Sequence, residues 1–301
     1  MSMFKKIITF FAAIVITSIS YASPIPPAPN LNVKAYVLLD FDSQMILASY
    51  NKDLTLPPAS ITKMMTAYVA FTELKEKNIS LDEEILVSKK AWKTGGSKMF
   101  IEVGKRVKVR DILQGVITVS GNDASVALAE HISGDEKTFT TYMNQMASNL
   151  GLSNTNYSNS TGLPNDSLYT SAEDISILSR ALISEFPKLY ELYSTKSFQF
   201  NEIKQYSRNK LLFIDDNVDG IKTGFTKAAG YCLASSAKRG DRRLIAVVMG
   251  APTPDVRIQA SRTLLEYGFR FFETHTLFKP NTAISTARVY AGEETHVEFG
   301  V

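Results

Sequence analysis

Residues 57–66 read Pro57-Pro58-Ala59-Ser60-Ile61-Thr62-Lys63-Met64-Met65-Thr66. The prolines stop extended structure, and Ser60 falls where a helix opens, as its N-cap or first-turn residue. The apolar spacing predicts a helix that carries Ile61, Met64, Met65, Tyr68, Val69 and Leu74 inward and ends near Asn78. Residues at i and i+3 are neighbours on a helix, so Lys63 sets its amine beside the Ser60 hydroxyl. A serine hydroxyl is a weak nucleophile until a base takes its proton. A solvated lysine is protonated and cannot serve; burial and a second cation lower its pKa.

Two further short motifs follow in order, Ser120-Gly121-Asn122 and Lys222-Thr223-Gly224. Lys222 supplies the second cation. Ser120 stands at a helix break, where its hydroxyl can pass a proton to a leaving amine, and Asn122 can orient both a substrate amide and Lys63. Lys222 and Thr223 suit a substrate carboxylate, with Arg257 as a further cation. The Ser60 N–H, at a helix N-terminus, makes half of an oxyanion hole. The Phe225 N–H, just past Gly224 on a strand edge, makes the other half. Such donors supply roughly 3–4 kcal/mol each. Together these residues form a serine acyl-transfer site that needs no histidine.

Each triplet alone is weak. Ser207 with Lys210, Ser235 with Lys238, Ser207-Arg208-Asn209 and Lys93-Thr94-Gly95 satisfy the same patterns. Context separates them. Only Ser60 follows a proline stop and opens a periodic apolar helix. Ser235 lies in a strand-like run that points Lys238 away, and Lys93-Thr94-Gly95 lies in a polar loop.

Outward from Ser60, Ala35–Leu39 and Met45–Tyr50 read as a β-hairpin about residues 40–44. Trp92–Val103 reads as a surface loop anchored by Met99 and Phe100. Helices are expected over Val109–Val119, Asp123–Ile132, Glu136–Leu150 and Ser171–Leu182, the last with a capping start at Ser171. Asp219–Gly224, Tyr231–Ala237 and Leu244–Met249 read as strands, and Val256–Phe272 as a helix. A helical middle between strand-rich ends predicts an α+β fold, an antiparallel sheet packed against helices beside an all-helical lobe.

The 301 residues carry a formal net charge of +3, with Lys5 and Lys6 near the N-terminus, so no nucleic-acid footprint is present. Residues 1–22 read as a secretory signal, with an apolar stretch Ile7–Ile16 and small residues at Ser20-Tyr21-Ala22. Pro24, Pro26, Pro27 and Pro29 then form a stiff tether. Cys232 is the single cysteine and reads as a small buried hydrophobe. His131, His275 and His296 fall in no motif, and neither a metal constellation nor a nucleotide loop is visible, so no cofactor is expected.

Longer stretches than the triplets carry a family likeness. They are Pro58–Thr66, Val119-Ser120-Gly121-Asn122-Asp123-Ala124, Ser160-Thr161-Gly162-Leu163-Pro164, Asp219–Thr226 and Tyr267-Gly268-Phe269-Arg270-Phe271-Phe272. In these the chain resembles the D-alanyl-D-alanine carboxypeptidases, low-molecular-mass penicillin-binding proteins related to serine β-lactamases. The resemblance implies a β-lactamase/transpeptidase-like domain and an extracytoplasmic (periplasmic) enzyme. It would trim the terminal D-alanine from peptidoglycan stem pentapeptides through an acyl-enzyme on Ser60, with β-lactams as covalent inhibitors. It also assigns Gly224 and Thr226 to the substrate-binding strand, and to Arg208 the bracing of the Lys222 strand and the Ser120 loop. The expected division is a signal at 1–22, a peptidase domain at 23–278 and an incomplete start of a β-rich domain at 279–301. Members usually carry a C-terminal membrane helix; attachment by that route has no support here, and peripheral membrane association is left open. Three alternatives stand beside this reading. One is a D,D-endopeptidase using the same groups. Another is a class A β-lactamase, against which no Glu-x-x-Leu-Asn pattern occurs between Asn122 and Lys222. The third is a non-catalytic wall-binding protein.

Overall fold

The structure, a computed structural model, describes residues 25–279, 281–290 and 292–300. The signal read over residues 1–22 lies outside them. Strands β1 (Ala35–Asp40) and β2 (Ile46–Tyr50) form the expected hairpin. A 3-10 turn, Ala59–Thr62, then runs straight into helix α1 (Lys63–Lys75). Next come β3 (Glu84–Leu86), α2 (Lys89–Lys93), β4 (Arg106–Lys108), α3 (Val109–Ile117), α4 (Asn122–Ser133), α5 (Glu136–Asn149) and α6 (Ala172–Glu185). Short pieces α7 (Pro187–Tyr190), β5 (Ser197–Phe200), β6 (Ile203–Tyr206) and α8 (Leu211–Ile214) lead to β7 (Val218–Thr226). The chain then forms β8 (Gly230–Arg239), β9 (Arg242–Ala251) and α9 (Pro254–Phe271), and a last hairpin of β10 (Ala283–Arg288) with β11 (His296–Gly300).

The main sheet is antiparallel with the order β2-β1-β9-β8-β7, so β1, from early in the chain, pairs with β9 from late in it. Alternation along the strands divides the apolar residues between two cores. Val37, Leu39, Ala234, Ile245, Val247 and Met249 face the helical lobe, while Leu38, Leu233, Leu244, Ala246 and Val248 face α9. Cys232 is fully buried on the lobe side, and burial pushes its thiol up to about 11, so it packs as an inert hydrophobe. The Pro-rich tether is pinned to this frame: the Tyr36 hydroxyl donates to the Pro29 carbonyl at 2.9 Å and that of Tyr267 to the Pro26 carbonyl at 2.8 Å.

Helix α1 ends at Lys75, three residues before the expected end, and is more deeply placed than an amphipathic reading allows. Every residue from Ile61 to Phe71 is buried, because α3, α4, α5 and α6 all pack around it. A helix buried all round is a central one. This position decides the chemistry below, since a lysine in its first turn has no path to water. The loop expected at Trp92–Val103 is real past α2, but its buried side chains are Met99 and Ile101; the Phe100 ring is about half exposed. Beyond α9, every residue of strands β10 and β11 is exposed, and among the described residues they pair only with each other. Among the described residues no helix is long and apolar enough to cross a membrane.

Candidate active site

Ser60 is not an N-cap. It sits in the 3-10 turn one step ahead of α1, and no side chain caps either helix start. In a 3-10 helix residues i and i+3 eclipse one another more closely than in an α-helix. That register brings Ser60 Oγ to 3.2 Å from Lys63 Nζ. Ala59, just before, holds the left-handed φ of +48°, a conformation that costs a non-glycine residue on the order of 1–3 kcal/mol.

Lys63 is 1% exposed. Its Nζ lies 2.6 Å from Asn122 Oδ1 and 2.5 Å from the Thr161 carbonyl. A neutral amine has two N–H bonds and one lone pair. In that form the two N–H groups would go to those oxygens and the lone pair to the Ser60 O–H. Burial first, then Lys222 and Arg208, holds the Lys63 amine well below the ordinary lysine range, with Asp123 opposing. Lys222 was expected as the neighbouring cation and is so placed; the desolvation imposed by α1's surroundings is the larger cause.

Asn122 opens α4 and is fixed at both ends. Its Nδ2 donates to the Gly95 carbonyl at 2.7 Å, which turns Oδ1 toward Lys63, and its backbone N–H donates to the Ser97 carbonyl at 2.7 Å. Lys93-Thr94-Gly95, a false match to the third motif, therefore contributes a carbonyl to the site. Ser120 holds the left-handed φ of +63° and places its Oγ 2.9 Å from Lys222 Nζ. Next to Asn122, the Asp123 carboxylate accepts the N–H groups of Met99, Phe100 and Ile101 and holds that loop against the site.

Lys222, Thr223, Gly224 and Phe225 lie on β7, the edge strand of the sheet. Burial, then Arg208 and Arg257, pushes the Lys222 amine down to about 7. A Cβ at Gly224 would lie 2.8 Å from the Pro58 carbonyl oxygen, so the absence of a side chain lets this edge press against the nucleophile turn. Phe225 stacks on Tyr231 with ring centroids 4.2 Å apart. The cleft, about 560 Å³, is lined by Ser60, Gly96, Ser97, Ser120, Arg208, Thr223, Gly224, Phe225, Tyr231 and Arg257. No carboxylate is among them.

Arg257, at the start of α9, is 7% exposed, lies over the Tyr231 ring, 5.8 Å from its centre, and is one of the cleft's lining residues. Thr226 is not a lining residue; its Oγ1 accepts the Ala229 N–H and closes the β7–β8 turn. Arg208 lines the cleft but makes no hydrogen bond to β7 or the Ser120 loop among the described residues. The bracing expected of it comes from its neighbour Asn209, whose Nδ2 donates to the Gly220 carbonyl at 2.9 Å. The competing pair Ser235 and Lys238 points to opposite faces of β8, with Ser235 Oγ bonded to the Ala246 carbonyl.

The Thr161 carbonyl has no side-chain signature, and the spacing of the three triplets does not reveal it. Its trace in the sequence is Gly162, which has φ +83° and whose added Cβ would lie 1.8 Å from the Ala59 carbonyl oxygen. This close approach sets the Ser160–Gly162 segment against the nucleophile turn. Gly162→Ala is therefore expected to destabilise the protein by about 3 kcal/mol or more and to slow acylation. Thermal unfolding measures the first effect and labelling by a fluorescent penicillin the second; a variant that melts and labels like the parent would contradict the packing described. Among the described residues no group of His, Cys, Asp or Glu side chains is arranged to hold a metal.

Known proteins resemble this chain in sequence and fold. The family model described as D-alanyl-D-alanine carboxypeptidase matches residues 22–253. The D-alanyl-D-alanine carboxypeptidase DacC of Escherichia coli is 44% identical over 280 residues, covering 91% of this chain and 70% of that protein. Penicillin binding protein 5 from Haemophilus influenzae superposes with a TM-score of 0.88 at 43% identity, over 91% of this chain and 81% of that one. Penicillin-Binding Protein D2 from Listeria monocytogenes, in its ampicillin-bound form, superposes with a TM-score of 0.75 at 31% identity, over 81% of this chain and 100% of that one. With the matched model spanning most of the sequence, this chain belongs to the D-alanyl-D-alanine carboxypeptidase family of serine peptidases.

Proposed function

We propose that the protein removes the terminal D-alanine from peptidoglycan stem pentapeptides outside the cytoplasm, and that β-lactams acylate the same serine. The observation that carries this reading is the Lys63 amine. It is buried, lies within hydrogen-bond distance of two oxygen acceptors and stands 3.2 Å from Ser60 Oγ, so that once deprotonated it has its lone pair free for the Ser60 proton. Lys63 takes the Ser60 proton as Oγ attacks the penultimate carbonyl. The Ser60 and Phe225 N–H groups receive the developing oxyanion. Ser120, bonded to Lys222, hands its proton to the leaving D-alanine nitrogen and is replenished with the proton that Lys63 took from Ser60, so that Lys63 is neutral again for the next step. Lys222, Thr223 and Arg257 hold the substrate carboxylate, and Asn122 orients the substrate amide. Water then releases the acyl group. No carboxylate lines the cleft to activate that water against a bulky acyl group, which suits slow release of β-lactams. Two features support an extracytoplasmic site of action: the signal read over residues 1–22, and relatives named for D-alanyl-D-alanine cleavage. We place the peptidase unit at 23–278 and the exposed β10–β11 hairpin outside it.

The two lysines act in opposite protonation states, which fixes the pH dependence of kcat/KM. Lys63 must be neutral, so activity rises with pH as it loses its proton. Lys222 must be charged to hold a carboxylate, so activity falls as pH rises through about 7 in the free enzyme. The fall is expected in KM for a pentapeptide acid and to be absent for the corresponding C-terminal amide. Steady-state kinetics on both peptides across pH 5–9 (roughly the span over which such limbs separate) checks this. An alkaline limb identical for acid and amide would remove Lys222 from carboxylate binding. Release of D-alanine from a stem pentapeptide, measured directly, tests the activity itself.

A further inference from the structure

The two oxygens that hold the Lys63 amine belong to different chain segments, and both segments lead to one ion pair. Glu136, the first residue of α5, turns its carboxylate inward, with 16% of its side chain exposed. Its Oε1 accepts the Ser160 backbone N–H at 3.1 Å and the Ser160 hydroxyl at 2.8 Å. Ser160 precedes Thr161, whose carbonyl takes one Lys63 N–H, and the Ser160 carbonyl is itself tied to α1 by Thr66 Oγ1 at 2.7 Å. The other carboxylate oxygen, Oε2, lies 2.9 Å from Lys90 Nζ. Lys90 belongs to α2, and its carbonyl accepts both the N–H and the hydroxyl of Thr94. Thr94 leads into Gly95, whose carbonyl fixes the Asn122 amide that takes the second Lys63 N–H.

We propose that Glu136, paired with Lys90, is a positioning residue for the catalytic base: it fastens together the two backbone segments whose oxygens aim the Lys63 lone pair at Ser60. The inference rests on the reading of Lys63 as base given above. A surface ion pair alone would contribute little. Glu136 differs because it also satisfies two donors of Ser160 and sits one residue from the carbonyl that touches the amine. Burial works to raise the Glu136 pKa, but the Lys90 and Ser160 contacts outweigh it and hold the carboxyl ionised below its usual range. The Ser160–Gly162 segment is also part of what excludes water from Lys63. The charged groups that act on Lys63 are Lys222 from β7, Arg208 from the loop before α8, and Asp123 from α4, and Glu136 is not among them. Its influence therefore runs through backbone position and solvent exclusion, not through direct field.

The test is stopped-flow acylation by a fluorescent penicillin across pH, with Glu136→Ala, Glu136→Gln and Ser160→Ala beside the parent. Glu136→Ala is expected to lower the acylation rate constant about tenfold at neutral pH, with the preceding non-covalent dissociation constant unchanged. Its acid limb should move to higher pH, because water admitted beside Lys63 restores the charged form. Glu136→Gln keeps an acceptor for both Ser160 donors but turns an amide N–H toward the Lys90 ammonium and so loses that pair; its rate should fall between those of the parent and Glu136→Ala. Ser160→Ala removes only one hydrogen bond and should shift the acid limb in the same direction by less, which keeps the question answerable if Glu136→Ala does not fold. An acid limb unmoved in Glu136→Ala and Ser160→Ala, with any loss of rate matching a loss of titratable sites, would overturn the proposal. So would a Glu136→Gln variant that acylates as fast as the parent, since the Lys90 pair would then not be needed to hold the two segments together. A parent that forms no acyl adduct would overturn the serine reading and this inference with it, whereas a labelled parent with unshifted variants would overturn this inference alone.

Discussion

Ser60→Ala is expected to abolish both covalent capture of penicillin and release of D-alanine from a pentapeptide, a loss of more than about 10⁴-fold. The effect is this large because no second nucleophile stands in the cleft. Ser120 Oγ is bonded to the Lys222 ammonium, which donates to it and draws no proton from it. Ser97 lines the cleft without a base beside it, and Cys232 is sealed in the sheet with a raised pKa. Stability should be nearly unchanged, since the hydroxyl's one hydrogen-bond partner is Lys63. Adduct formation and thermal unfolding measured on one preparation separate the two quantities. A variant that labels at the parental rate would move the nucleophile elsewhere.

Lys63→Met is expected to slow acylation by roughly 10²–10⁴-fold, the usual contribution of a general base. Its effect on stability should depend on pH. In the unfolded chain Lys63 is an ordinary protonated lysine, whereas in the fold its pKa is depressed, so folding works against its charge. That cost is full below the folded-state pKa. It shrinks as pH rises above it and disappears above the unfolded value. Methionine fills similar volume without the charge. It also leaves Asn122 Oδ1 and the Thr161 carbonyl without their donor, an opposing cost that does not vary with pH. The stability of Lys63→Met should therefore rise less with pH than the parent's, so that the variant compares best with the parent at low pH and worst at high pH. Chemical denaturation at several pH values checks the sign. A variant that is less stable than the parent by the same amount at every pH would mean that the amine is not held neutral.

The sequence revealed the nucleophile and base because their signal is local. A proline stop, a periodic apolar run and an i, i+3 pair all lie within residues 57–74. The strands were legible for a similar reason, as β-prone runs with short turns. Their order was not: β9 lies between β1 and β8, and pairing across two hundred residues leaves no local trace. Parts of the site made from backbone were also hidden. The Thr161 and Gly95 carbonyls hold Lys63 and Asn122 respectively, and any residue type carries a carbonyl. The left-handed conformations of Ala59 and Ser120 were invisible because neither residue type favours them. The same limit explains Phe100 and Arg208. Phe100 contributes its N–H to Asp123 while its ring stays outside, and the bond expected near Arg208 is made by Asn209. The 3-10 start of α1 went unread because a 3-10 turn and an α-helical first turn share the same residue preferences.

The central claim is that an unprotonated lysine inside the fold draws the proton from a serine hydroxyl at the cleft floor. Intact-protein mass spectrometry with peptide mapping, after brief incubation with penicillin and separately with a stem pentapeptide, tests it most directly. The expected result is a single acyl adduct on the peptide containing Ser60, free D-alanine from the pentapeptide, and no adduct in Lys63→Met over the same interval. An adduct mapped to another residue, or full acylation of Lys63→Met, would contradict it.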